Sequence, residues 1–100
     1  MIDLEEAVME IIVNAGQSRS LCFEALQAAR QGDFVAAKNL LQEADTFSRQ
    51  AHKMQTKLIE QDAGEARQPM SLIMVHAQDH LMTSLLAREL SEEIVHLYQR

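Results

Sequence analysis

The stretch from Met70 to Arg100 contains neither glycine nor proline, and no other feature constrains the fold as tightly. Its residues are mostly Leu, Met, Ala, Glu and Gln, whose side chains lose little freedom in a helix. One helix over 70–98 follows, about 40 Å long at 1.5 Å per residue. Its apolar residues do not form a single stripe. Met74, Leu81 and Leu85 face one way, while Val75, Met82 and Leu86 face another. A helix that is apolar on most of its circumference has to be covered on more than one side.

The rest of the chain has the same character. Three glycines and one proline in 100 residues leave few places to turn. A hydrophobic fraction of 47% with only 4% aromatics suits one small packed helical domain, 1–100. Leu4, Val8, Ile11, Ile12, Ala15, Cys22, Leu26 and Ala29 recur at helical spacing, which predicts a first helix over about 3–30. Gly16 interrupts it and reads as a tolerated defect or a close helix crossing. Gly32 can end that helix in a left-handed conformation, and Asp33 can cap the next. A second helix over 34–60 follows, with Ala37, Leu40, Leu41, Ala44, Phe47, Ala51, Met54 and Leu58 on its apolar side. Residues 61–69, polar and carrying Gly64 and Pro69, are the one real loop. The fold class is therefore all-α, with three long antiparallel helices. Two neighbours cannot cover the third helix, so association around an axis lined by third helices is expected.

A net charge of -6 argues against nucleic-acid binding, which needs a basic stripe. The single cysteine, Cys22, excludes an internal disulfide and a multi-cysteine zinc site, and reads as a small core residue. The N-terminus, Met1-Ile2-Asp3-Leu4-Glu5-Glu6, is acidic and no apolar run approaches a membrane span, so a cytoplasmic location is expected.

Within the third helix, His76, Asp79, His80 and Thr83 stand three and four residues apart and share a face. Two histidines at this spacing can hold zinc, but the acid adjoins the second histidine and no third ligand is poised. Nucleophilic hydrolysis lacks a Gly-x-Ser-x-Gly turn. Nucleotide chemistry lacks any phosphate-binding glycine loop. A remaining option is histidine as a covalent carrier, since imidazole is nucleophilic near neutral pH, although spacing alone favours core histidines that satisfy each other and Asp79. Gln78, His80 and Thr83 are candidate helpers. The competing reading is a non-catalytic oligomeric interaction module whose histidines are structural. His52, beside Lys53 and Lys57, reads as an ordinary half-exposed histidine.

The string Val75-His76-Ala77-Gln78-Asp79-His80-Leu81-Met82-Thr83-Ser84-Leu85-Leu86 resembles the IIA component of the lactose/cellobiose/diacetylchitobiose class of the bacterial sugar phosphotransferase system. Asn14-Ala15-Gly16-Gln17-Ser18-Arg19-Ser20-Leu21, Gln31-Gly32-Asp33-Phe34 and Ala51-His52-Lys53-Met54-Gln55-Thr56-Lys57 carry the same resemblance, nearer the diacetylchitobiose/cellobiose branch. It implies a homotrimer of three-helix subunits. It implies that His76 takes a phosphoryl group from phospho-HPr, as a tele-phosphohistidine, and gives it to a cysteine of the IIB component, in concert with a membrane IIC permease. Gln78 and His80 would support it. Asp79 would lie near the threefold axis and share a structural divalent cation, expected to be Mg²⁺, with its symmetry mates. No nucleotide is implied.

Overall fold

The computed structural model describes residues 3–100. Among them are three helices and no strand: α1 (Leu4–Arg30), α2 (Phe34–Ala63) and α3 (Leu72–Tyr98). They run up, down and up, so α1 and α3 are parallel, and their starts adjoin at Leu4, Val8, Ser71 and Ile73. The bundle measures 51 × 18 × 18 Å, one helix long and little more than two helices wide.

Each helix starts where a side chain can satisfy its free N–H groups. Asp3 accepts from the Glu6 N–H at 3.3 Å, Asp33 from that of Ala36 at 3.1 Å, and Ser71 from that of Met74 at 3.2 Å. Between α1 and α2, Gly32 takes φ +83°, the left-handed conformation expected of it. The second connection is shorter than 61–69. α2 continues through Gln61 and Asp62 to Ala63, and the Asp62 carboxylate accepts from the Gln68 N–H at 2.7 Å, which folds the chain back beneath the helix end. α3 begins at Leu72, not Met70, because the cap is Ser71 and not the residue after Pro69.

The core runs the length of the bundle in two clusters. One gathers Val8, Ile11, Ala15, Ala51, Leu58, Met74, Ala77 and Leu81. The other gathers Leu21, Cys22, Ala25, Ala29, Ala37, Leu41, Ala44 and Val95. Alanine is the commonest residue in both, and small side chains let long helices approach closely. Polar groups inside are mostly paired, as burial requires. The Ser18 and Ser48 hydroxyls meet at 2.6 Å, tying α1 to α2. Gln55 on α2 donates to the Gln78 side-chain oxygen on α3 at 2.7 Å. Arg88 on α3 reaches Asp45 on α2 at 3.5 Å and Glu92 at 2.9 Å.

α3 packs only one of its apolar faces within the subunit. Met74, Ala77, Leu81 and Val95 are buried, whereas Leu72, Val75, Met82, Leu86, Leu90 and Leu97 remain about half exposed or more. The two-sided apolar character of this helix is thus split between an internal seam and an open stripe. No described helix is long and apolar enough to cross a membrane.

Candidate functional site

Burial of Ala77, Leu81 and Ser84 against the core fixes how α3 is rotated, and this rotation decides which side chains reach the surface. His76 and Asp79 are exposed, and His80 is half-buried. The His76 and His80 rings stack with centroids 5.8 Å apart and planes 4° from parallel. His80 thus makes a floor against which the outer imidazole lies flat. The Thr83 hydroxyl donates to the backbone carbonyls of Asp79 and His80, each at 3.1 Å, so it braces the helix and does not reach the rings.

The inner side of this pair is α1. A Cβ added at Gly16 would come 3.6 Å from His80 Nε2. The mid-helix glycine is therefore a close approach, a bare stretch of backbone that lets the second imidazole settle between the helices. Its position in α1 was visible in the sequence, but its neighbour was not. One turn on, the Arg19 guanidinium lies over the Phe23 ring, 5.7 Å from its centroid.

Gln78 stands apart from these groups within the subunit. Two residues from His76 is roughly 200° around a helix, and Gln78 faces α2, bonded to the buried Gln55 and donating to the Met74 sulfur at 3.5 Å. Asp79 lies outside the internal seam of α3. It stands exposed in the middle of the open stripe, between Val75, Met82 and Leu86. Among the described residues no three His, Cys, Asp or Glu side chains gather as a metal site. One subunit therefore supplies a cation with the Asp79 carboxylate alone. His52 is exposed on α2, outside the cluster.

Two other features belong to the opposite half of the molecule. A cleft of about 400 Å³ between α2 and α3 is lined by Phe34, Lys38, Arg88, Glu92, Val95 and His96, and shares no residue with the histidine pair. Cys22 is buried, and burial pushes its thiol pKa up despite the opposing pull of the Ser91 and Ser18 hydroxyls and the Arg88 charge.

Chemically, an imidazole that is open to solvent on one side and backed by a second ring on the other can offer a ring lone pair to an electrophile brought by a partner. A family model described as "PTS system, Lactose/Cellobiose specific IIA subunit" matches residues 6–99. The N,N'-diacetylchitobiose-specific EIIA component of Escherichia coli K12 is 54% identical over 98 residues, covering 98% of this chain and 84% of that one. The crystal structure of the cellobiose-specific enzyme IIA from Bacillus anthracis superposes with a TM-score of 0.94 at 36% identity, covering 99% of this chain and 91% of that one. The IIA(chitobiose) chain solved in complex with HPr from Escherichia coli gives a TM-score of 0.85 at 52% identity, covering 99% and 96%.

Proposed function

From the premise that this chain belongs to the lactose/cellobiose-specific IIA family of the sugar phosphotransferase system, we propose that His76 is its phosphoryl carrier. Family membership makes it a phosphotransfer component of sugar uptake. The finer reading is that a ring nitrogen of His76, taken as Nε2, receives the phosphoryl group from phospho-HPr. The observation that carries it is the open His76 ring stacked on a half-buried His80. A structural core histidine would be closed on both faces. Nothing in the site favours a non-catalytic interaction module.

The transfer balances without an external acid or base. The lone pair of the neutral His76 nitrogen forms a new P–N bond as the P–N bond to the donor imidazole breaks, and the departing nitrogen keeps its electron pair. The same exchange follows with a cysteine thiolate of the IIB component, which forms a P–S bond. Such loose phosphoryl transition states need little covalent help, so positioning and electrostatics supply the catalysis. The stack on His80 contributes positioning, because it restricts the ring to one plane. HPr as donor is supported by the solved complex of the relative's IIA chain with HPr. The IIB acceptor, the IIC permease and a cytoplasmic setting follow from the family's place in sugar uptake. Nearness to the diacetylchitobiose-specific relative favours a disaccharide of the cellobiose/diacetylchitobiose type as the transported sugar.

Assembly belongs to the same reading. The open stripe of Val75, Met82, Leu86, Leu90 and Leu97 is what a threefold axis of α3 helices would cover. Three Asp79 carboxylates would then meet among apolar side chains and repel. The donor set of one chain does not hold a cation, but three carboxylates together suit a hard divalent ion such as Mg²⁺, which would offset that repulsion.

The test mixes the protein with phosphoenolpyruvate, enzyme I and HPr and records its intact mass at mildly alkaline pH. One added phosphate that is lost in acid, and absent from His76→Gln with its helix content intact, is the expected result. No added phosphate, with a control IIA labelled in the same mixture, would refute it.

A further inference from the structure

We propose that Arg19 binds the phosphoryl group while it is on His76, a role that rests on the carrier reading above. A phosphohistidine places a dianion on a chain that already carries a net charge of -6. Its nearest acid along α3 is Asp79, one turn from His76. The group therefore needs a cation within reach, and the fold leaves one in position.

The parallel register of α1 and α3 sets Gly16 level with His80, as their close approach shows. Arg19 is one turn further along the same wall, roughly 5–6 Å from Gly16 between Cβ positions. The histidine pair thus lies within about two helical turns of Arg19 along the groove, a span that a long arginine side chain directed back toward its helix N-terminus can largely cover. Gly16 puts no side chain between the two, and the space beside it holds the His80 ring.

The other cations are placed elsewhere or already occupied. Arg88 is held by Asp45 and Glu92, and Arg49 by Asp45 at 2.8 Å. Lys38 lines the α2–α3 cleft of the opposite half. Lys53 and Lys57 are exposed on α2, Arg67 lies in the second connection, Arg30 is the last residue of α1 and Arg100 follows the end of α3. Among the described residues Arg19 has no carboxylate within ion-pair distance. It rests on the face of Phe23 instead, and leaves that seat to reach a phosphoryl group on His76. A planar fork of donors suits phosphoryl oxygens. During transfer Arg19 stays protonated and donates hydrogen bonds to those oxygens, while the P–N bonds exchange as described above.

The experiment compares wild type, Arg19→Gln and Arg19→Lys with two donors: phospho-HPr, and phosphoramidate, a small donor with no docking surface. Arg19→Gln should slow labelling of His76 roughly tenfold or more with both donors. With phospho-HPr the loss should lie in kcat, not in KM, and Arg19→Lys should recover part of it. Arg19 is exposed, so far-UV helix content should be unchanged in both variants, and Phe23→Leu should keep most of the activity because it removes only the seat. A loss confined to phospho-HPr, or to KM, would make Arg19 a docking residue and overturn the proposal. Equal labelling of Arg19→Gln and wild type would overturn it too. A wild type that phospho-HPr does not label would remove the carrier reading itself, and this inference with it.

Discussion

The Ser18–Ser48 hydrogen bond offers a quantitative test of how this alanine-rich core is held. Both side chains are inside the bundle, 0% and 3% exposed, and their oxygens are 2.6 Å apart. Replacing either serine with alanine removes one partner and leaves the other hydroxyl buried. Stranding a buried polar group costs about 1–3 kcal/mol. A serine in a helix can turn back to the carbonyl four residues earlier, so the lower half of that range, about 1–2 kcal/mol, is the expectation for each single change. Changing both removes donor and acceptor together. The double variant should then be no worse than either single one, a coupling of about 1 kcal/mol or more. Urea unfolding followed by helix content, at one fixed protomer concentration so that the proposed assembly contributes equally to every variant, gives all four corners of the cycle. Phosphoryl acceptance should be unchanged throughout, since neither serine is in the His76 cluster. Strictly additive losses would show that each hydroxyl is satisfied separately and that the contact between α1 and α2 contributes nothing.

On the proposed assembly about α3, Asp79→Leu should retain the oligomer and raise its thermal midpoint by roughly 4 °C or more, because an apolar residue replaces a carboxylate that stands among Val75, Met82 and Leu86. Sedimentation and thermal melts check this, and dissociation or unfolding would contradict the repulsion argument. Cys22 should react with iodoacetamide at pH 8 only after denaturation, as burial both shields the thiol and raises its pKa. The folded state keeps a proton that the unfolded chain releases, so this group lowers stability as pH rises beyond about 8.5. Urea titrations of wild type and Cys22→Ala at pH 8 and pH 10 should show the wild type losing more between the two. Equal losses would remove the cysteine from the pH dependence.

Local chemistry was legible in the chain. Gly32 and Asp33 act through their own backbone and the next turn, so the end of α1 and the start of α2 fell where the residues placed them. The end of α2 did not, because Asp62 and Gln68 close a turn six residues apart that no periodic pattern marks. Periodicity also put His76, Asp79 and His80 on one side of α3, whereas Gln78, a candidate helper by its chemistry, lies off that face. Its bond to Gln55 depends on which helix lies beside that face, and the position of a helix is not written in its own period.

The sequence by itself determined the three helices, the excess of apolar surface on the third and the histidine pair on it, since each follows from spacing within one helix. Only the tertiary structure decided which imidazole is open and which is the floor. That depends on burying Ala77, Leu81 and Ser84, which sets the rotation of α3, and on a register with α1 that brings Gly16 against His80 across 64 residues of chain. Such contacts are fixed by how whole helix faces fit together, and spacing along one helix carries no information about its neighbour.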